Sequence, residues 1–339
     1  MSTLPTQAVG QAVRQAVCLV ELVRPVADLE RACAFYHDAL GFVPDAASAA
    51  DAARAASAAD DTALALALAT AWGQPPPALA RLRLGRQTLL LAACASAHGV
   101  SPAGTTAWPD GGADDPRFQH IAIVTPDIDA AWRRVRAAAP ALRSITRGGP
   151  VQLPAASGGV RACKFRDPDG HPVELIAFAP GQVPPRWQGA TGTATVPPPA
   201  PVSARRSALT CALTLGIDHS AITVADAGRS VDFYRDLLGL FETARQTNRG
   251  PEQAQLDGLP APVVEVVGLA AGGAPPHLEL LGYHRPGTAA GGPEAHGLGT
   301  CTVWAAAGGG ADAAPPVRIV HDPDGHTLLL LSPASATTT

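Results

Sequence analysis

The alternation of apolar and polar positions between residues 116 and 179 predicts one complete β-α-β-β-β unit. His120 to Val124 (HIAIV) is an apolar run typical of a strand, and Asp127 to Ala139 has the spacing of an amphipathic helix that Pro140 ends. Asp167 to Gly170 (DPDG) is a strong turn signal, because proline fixes one backbone angle and glycine adopts the positive φ that a hairpin needs. A β-hairpin therefore closes the unit.

The second arm of this hairpin, His171 to Phe178, carries one carboxylate among apolar neighbours. Val173 and Leu175 alternate with Ile176 and Phe178, so both faces of the strand are apolar and Glu174 has no solvent-exposed face. A buried carboxylate requires a hydrogen-bond donor, a cation or a metal ion as its partner. Glu174 is therefore the first candidate for chemistry.

Two internal repeats show that the unit recurs. Val26 to Phe42 (VADLERACAFYHDALGF) and Val224 to Leu240 (VADAGRSVDFYRDLLGL) are identical at nine of seventeen positions, and each predicts a helix with an aspartate N-cap and a glycine C-cap. The second repeat is the DPDGH motif, at residues 167–171 and 322–326. The chain is thus predicted to contain four units.

The predicted boundaries place these units at residues 15–95, 116–179, 215–284 and 297–333. The fourth unit is truncated, because its segment Ala305 to Pro316 (AAAGGGADAAPP) is too rich in glycine and proline for a stable helix. Residues 180–213 carry seven prolines and read as a linker. The Ala-rich segment 46–69 fits either a surface insertion or a helix.

Composition narrows the class of partner. The net charge is −4 and the basic residues are scattered, so we expect a small-molecule partner, with neither nucleic acid nor a membrane bound. Lys164 is the single lysine, in a context (ACKF) that excludes a phosphate-binding loop. Six separated cysteines, no C-x-x-C pair and an N-terminal stretch without an apolar core favour the cytoplasm. A monomer or a homodimer is expected.

Together, the four units, the F-Y helices that end in L-G, and the R-D-P-D-G-H-P-x-E-L element around Glu174 resemble the vicinal oxygen chelate superfamily. This family contains glyoxalase I, extradiol dioxygenases and bleomycin-binding proteins. The resemblance implies an α+β fold in which four βαβββ units pair into two half-open β-barrels. It also implies that metal ligands come from the first and last strands of each unit.

Two units retain the ligand types that the resemblance implies. They are the second unit, with His120 and Glu174, and the third unit, with His219 and Glu279. Pairing in chain order would split these four residues between two barrels. Pairing of the second unit with the third, and of the first with the fourth, collects all four in one barrel. We favour this second arrangement, with one working site and one barrel kept for support.

The other two units are incomplete. The first unit has Glu21, either a rim residue or a relic, but Leu90 stands where the acid belongs. The fourth unit has Thr300 at the histidine position and Leu329 at the glutamate position. No metal site is expected from these two units.

The implied ligand set, His120, Glu174, His219 and Glu279, suits one divalent ion among Fe²⁺, Mn²⁺, Ni²⁺, Co²⁺ and Zn²⁺. An octahedral ion would leave two positions for neighbouring substrate oxygens, and Glu174 or Glu279 would act as the base in a glyoxalase-like proton transfer. Alternatively, two histidines and one glutamate would hold Fe²⁺ for extradiol-type dioxygenation. A third reading is a metal-free protein that sequesters a drug, as bleomycin-resistance proteins do.

Several flanking residues carry secondary expectations. His171 and His326 are expected to orient their hairpins, and Arg166 to pair with Asp167 or Asp169. The residues expected to line the pocket are Tyr283, His284, Phe178 and Gln119.

Overall fold

The computed structural model describes residues 17–45, 61–94, 111–188, 213–271, 276–288, 299–306 and 317–331. In the first two units the strands are β1 (Val17–Val26), β2 (Val43–Pro44), β3 (Leu79–Leu84), β4 (Gln87–Ala93), β5 (Gln119–Val124), β6 (Val151–Gln152), β7 (Arg161–Arg166) and β8 (Pro172–Ala177). In the last two they are β9 (Gly216–Val224), β10 (Phe241–Arg249), β11 (Val263–Ala270), β12 (His277–Arg285), β13 (Cys301–Ala306), β14 (Val317–His321) and β15 (Thr327–Leu331). The helices are α1 (Leu29–Leu40), α2 (Asp61–Trp72), α3 (Ile128–Ala138), α4 (Ala227–Leu238) and α5 (Pro251–Asp257).

The strands form two sheets, and the order of the strands confirms the predicted α+β fold of paired units. An eight-stranded sheet runs β10-β11-β12-β9-β5-β8-β7-β6, so it combines the second and third units. A seven-stranded sheet runs β14-β15-β13-β1-β4-β3-β2 and combines the first and fourth. The first strands of the two units meet in antiparallel pairs, β5 with β9 and β1 with β13. The favoured pairing of units is therefore correct.

The repeated helices begin and end as their caps predict. Asp28 accepts a hydrogen bond from the backbone of Arg31 at 3.0 Å, and Asp226 makes the same contact with Arg229. Gly41 closes α1 with φ of 80°, in the left-handed region that favours glycine. Helices α1, α3 and α4 pack their apolar faces into the central core that the two sheets share.

Both DPDGH turns connect one sheet to the other. The carboxylate of Asp167 accepts a 2.7 Å hydrogen bond from the hydroxyl of Tyr36 on α1, and His171 Nε2 lies 2.7 Å from the carbonyl oxygen of Pro25. Arg24, fully buried on β1, donates to the carbonyl of Pro172 just after the turn. We call this set of contacts the first inter-sheet latch.

The second inter-sheet latch repeats these contacts at the other DPDGH turn. Asp322 accepts from the hydroxyl of Tyr234 on α4 at 3.1 Å, and His326 Nε2 lies 2.9 Å from the carbonyl oxygen of Thr223. The role of the two turn histidines thus extends beyond their own hairpins, since each ring contacts the backbone of the opposite sheet. Arg166 holds its turn through the carbonyl of Gly170, to which it donates at 2.8 Å.

Helix α2 answers part of the open question about the Ala-rich segment. Residues 61–69 of that segment belong to α2, and residues 46–60 lie outside the described residues. Leu64 and Leu68 are buried against Leu90 and Leu329, in a cluster on one face of the seven-stranded sheet. This face of the seven-stranded sheet corresponds to the face of the eight-stranded sheet that carries His120 and Glu174. We call it the equivalent face.

The remaining predicted boundaries fall partly outside the described residues. The fourth unit shows three strands within 299–306 and 317–331, and residues 307–316, where its helix would lie, are outside the described residues. At the start of the predicted linker, Pro185–Trp187 forms a short 3₁₀ helix and Trp187 is buried, while residues 189–212 are not described. Among the described helices, none combines the length and apolar character needed to cross a bilayer.

Candidate metal centre

The four predicted ligands come from four adjacent strands at the middle of the eight-stranded sheet. On β5 and β9 the antiparallel register sets His120 opposite Ala221 and His219 opposite Ala122. On the outer sides, the parallel register sets Glu174 of β8 beside Ala122, and Glu279 of β12 beside Ala221. Because alternate residues of a strand share one face, all four side chains point to the same side of the sheet.

The distances between the side-chain atoms define a compact group. His120 Nε2 lies 2.8 Å from Glu174 Oε2, and His219 Nε2 lies 3.9 Å from the same oxygen. One atom from each of His120, Glu174 and His219 falls within 4.8 Å of the others. Glu279 is at the edge of this group, with Oε2 3.5 Å from His219 Nε2. The structure therefore brings the predicted set together, with three residues closest.

Three of the four ring nitrogens in this group lack a hydrogen-bond partner. Both nitrogens of His120 and Nε2 of His219 are buried without a hydrogen-bond partner, although His120 Nε2 is close to Glu174. A buried polar atom without a partner is costly, and a nitrogen lone pair facing a carboxylate oxygen is unfavourable unless a proton or a cation lies between them. Two imidazoles and two carboxylates suit a divalent transition metal. The residues present fit such an ion.

Electrostatics in the group favours ionised carboxylates. Burial raises the pKa of Glu279, but the cationic forms of His219 and His277 outweigh it and lower the pKa to about 2. Burial also raises the pKa of Glu174, and Lys164, His120 and His219 reverse this effect. Both glutamates are therefore negatively charged at neutral pH, as metal ligands must be.

The two histidines differ in their proton affinity. Burial lowers the pKa of His120 despite the neighbouring Glu174. Burial acts in the same direction on His219, but Glu279, Asp218 and Glu174 outweigh it and raise its pKa to about 9. In the absence of a cation, the proton that compensates the carboxylates thus resides on His219.

Two residues beside the group were not identified from the sequence. Asp218 Oδ2 lies 3.2 Å from His219 Nδ1, and its Oδ1 accepts a 2.8 Å hydrogen bond from the indole of Trp187. His277 Nε2 lies 3.6 Å from Glu279 Oε1. The sequence contains a signal that could have identified His277, because this residue precedes Glu279 by two positions and so shares its face of the strand. Asp218 had none, because it adjoins His219 and ordinary alternation would place it on the opposite face.

A cavity of about 170 Å³ opens over this face of the sheet. Tyr283 and Phe178 line it as expected. The expectation was wrong for Gln119, which donates to Ser220 on the adjacent strand, and for His284, whose side chain is exposed; neither lines the cavity. The wall further includes Lys164, Asn248 and Gln253.

The equivalent face of the seven-stranded sheet has none of the four predicted ligand residues at the corresponding places. Its register sets Leu90 at the place of Glu174, Leu329 at the place of Glu279, and Cys301 at the place of His219. The prediction of Thr300 for this last place was wrong by one residue. Glu21 occupies the place of His120 and accepts hydrogen bonds from Arg81 at 2.6 and 3.2 Å, so it is a charge partner in this sheet.

Comparison with known proteins supplies the family. No curated protein matches the chain in sequence. Glyoxalase I from Zea mays aligns over 94% of this chain and 93% of its own, with 15% identity and a TM-score of 0.48. Lactoylglutathione lyase from Agrobacterium tumefaciens aligns over 49% of this chain and 94% of its own, with 20% identity and a TM-score of 0.28.

The model of one family, described as the Glyoxalase/Bleomycin resistance protein/Dioxygenase superfamily, matches residues 19–175 and 216–305. These two ranges together make up more than half of the chain, and they include all four residues of the candidate centre. The chain therefore belongs to the Glyoxalase/Bleomycin resistance protein/Dioxygenase superfamily.

Proposed function

We propose that the protein is a metal-dependent enzyme, and that its substrate is a small molecule with two neighbouring oxygens that chelate the ion. The observation that carries this proposal is the convergence of buried His120, Glu174 and His219, whose facing nitrogens have no hydrogen-bond partner. Glu279 is the fourth member of the set. Membership of a superfamily that includes glyoxalases and dioxygenases supports an enzymatic role.

A divalent ion at this site would supply Lewis acidity toward the two substrate oxygens. The protein itself supplies the base. Glu279 Oε2 is the oxygen that would take a proton from the substrate, since its side chain is a quarter exposed whereas that of Glu174 is almost fully buried. His277 contacts the other oxygen, Oε1, and so helps to keep the carboxylate in position. Glyoxalase-like proton transfer is the reaction that this arrangement favours.

Extradiol-type dioxygenation is the second candidate, and one observation favours it. The compact group contains two histidines and one carboxylate, which is the donor set of many non-haem Fe²⁺ oxygenases. In this case Glu279 stays off the ion and serves as a nearby base. The two candidates therefore differ in the part played by Glu279.

Elemental analysis of anaerobically purified protein tests the proposal. We expect one divalent ion per chain, and we expect His120→Ala to lose it. His284→Ala is the matched control, because this histidine is exposed and lies outside the cavity. Glu279→Ala should lower turnover roughly 10²–10⁴-fold, the usual contribution of a positioned base.

Two assays then separate the reactions. Oxygen uptake with catechols would identify the dioxygenase, and isomerisation of a hemithioacetal without oxygen uptake would identify the proton-transfer enzyme. Protein that purifies without metal, and whose thermal stabilisation by a planar drug is unchanged in His120→Ala, would contradict both and support sequestration.

A further inference from the structure

A second polar cluster lies on the cavity wall beside the candidate centre, since the register sets Lys164 of β7 opposite Glu174 of β8. Its middle is the buried carboxylate of Asp257, at the end of α5. Lys164 Nζ donates to Asp257 Oδ1 at 2.8 Å, and Gln253 Nε2 donates to Asp257 Oδ2 at 2.7 Å. Lys164 belongs to the second unit and α5 to the third, so this cluster joins the two halves that form the cavity.

The cluster leaves hydrogen-bonding groups free toward the cavity. The bond to Asp257 fixes the amide of Gln253, and its Oε1 is buried without a partner. Asn248 Oδ1, on β10, is also buried without a partner. The ammonium of Lys164 has three N–H groups, of which Asp257 takes one. All three side chains are at least nine-tenths buried, and all three line the cavity.

The chemistry of these groups selects one kind of ligand. A carboxylate would meet two unpaired acceptor oxygens and has no proton to donate to them, and Asp257 already neutralises the charge of Lys164. An ammonium would donate to the two acceptor oxygens, but it has no acceptor to offer the remaining N–H groups of Lys164. An apolar group would leave the two acceptors unpaired. A hydroxyl group satisfies the cluster, because its oxygen accepts from Lys164 while its proton goes to Gln253 Oε1 or Asn248 Oδ1.

We propose that Lys164, Gln253 and Asn248 form a subsite for a further hydroxyl group of the substrate, beside the two chelating oxygens. This inference rests on the proposed function for the identity of the chelating end. It names the substrate class as a vicinal-oxygen chelator that carries a further, uncharged hydroxyl group.

Matched pairs of catechols test this subsite. Each pair carries a side chain of one to three carbons that ends in either a hydroxyl or a methyl group, and binding is measured by calorimetry to the Zn²⁺-loaded protein. In at least one pair we expect the hydroxyl compound to bind tenfold or more tightly than its methyl partner. In the double variant Gln253→Met, Asn248→Leu, which removes both acceptor oxygens, this preference should fall below about twofold, with the affinity for unsubstituted catechol unchanged.

Gln246→Met is the control, since Gln246 lines the same cavity from β10. It should keep the preference of the wild type. Lys164 is left intact, because its removal would leave Asp257 buried without a cation. Selective ¹⁵N-lysine labelling instead gives one side-chain resonance, as Lys164 is the single lysine. That resonance should shift with the hydroxyl compound and not with its methyl partner.

A purely structural ion pair would give a different result. Equal binding of both members in every pair, with no shift of the lysine resonance, would overturn the subsite. Failure of the proposed function is separate: catechols would then bind equally well with and without Zn²⁺, and the hydroxyl preference would still decide the subsite.

Discussion

At the scale of single residues, the placement of Asp218 depends on a β-bulge. Ala122 is opposite His219, but the next residue, Ile123, is opposite Ile217, so Asp218 is an extra residue on β9. A bulge turns side chains away from strict alternation. Asp218 thereby reaches the cavity side next to His219, where it contacts the ring nitrogen that faces away from the candidate ion.

We expect Asp218→Asn to weaken Zn²⁺ binding about 10–100-fold, as is usual when the carboxylate that orients a histidine ligand is lost. The reason is that Asp218 Oδ2 accepts from His219 Nδ1 and so keeps the lone pair of Nε2 directed at the ion. Competition with a fluorescent chelator measures the affinity. Asp232→Asn, an exposed change on α4, is the control. Equal affinities of Asp218→Asn and wild type would contradict this role.

The sequence predicted the residue types of the candidate centre but not its surroundings. Strand alternation singles out Glu174, and the resemblance to the vicinal oxygen chelate superfamily implies His120, His219 and Glu279 beside it. The bulge at Asp218 has no signature in the sequence, because its extra residue is defined only by pairing with another strand. The prediction of Thr300 where the structure has Cys301 has a similar cause. The register of a strand is defined only by its pairing with a neighbouring strand.

At the scale of elements, α2 is the largest departure from the repeat. It is an insertion between β2 and β3, and its buried residues Leu64 and Leu68 cover the equivalent face of the seven-stranded sheet. The sequence leaves this segment open between a surface insertion and a helix, because its run of alanines and leucines has no clear period. Packing against the sheet decides in favour of the helix.

Substitutions in α2 test whether this helix contributes only to stability or also to the candidate centre. Leu68→Ala removes a fully buried side chain and should lower the free energy of unfolding by about 2–5 kcal/mol. Leu66→Ala is a matched control on the same helix, because Leu66 is 71% exposed, and its effect should stay within about 0.5 kcal/mol. Urea unfolding measures both. The metal content of folded Leu68→Ala should equal that of wild type, and its loss would show that α2 contributes to the candidate centre.

At the scale of the whole molecule, the two latches hold the two sheets together. The first latch is adjacent to the candidate centre, since Arg24 binds the carbonyl of Pro172, two residues before Glu174. The sequence predicted which units share a sheet, because only one pairing collects a full ligand set. It did not predict the latches, because the DPDGH turn is already a good hairpin by itself and gives no sign of its partner.

The first latch should make stability depend on pH. Burial, with Arg24 and Arg166 nearby, lowers the pKa of His171 from 6.5 to about 4 despite Asp167 and the Pro25 carbonyl. The neutral ring is favoured in the folded state, so its contribution is complete above pH 6.5 and is lost as the pH falls from 6.5 to 4. This loss amounts to roughly 3 kcal/mol.

Unfolding by urea at a series of pH values checks this expectation. Wild type should lose stability faster than His171→Gln between pH 6.5 and 4, because the variant has no imidazole to protonate. His284→Gln, at an exposed position, should follow wild type. Parallel curves for wild type and His171→Gln would show that the latch histidine is not responsible.

Helix α2, which covers the equivalent face, also prevents point substitutions from building a second set of ligands there. Restoring a glutamate at Leu90 and Leu329 and a histidine at Cys301 would recreate the sequence pattern of the intact half. Those side chains would nevertheless meet the leucines of α2 instead of open space. A second centre of the same kind would therefore require deletion of α2, because point substitutions alone would bury new charges among apolar side chains.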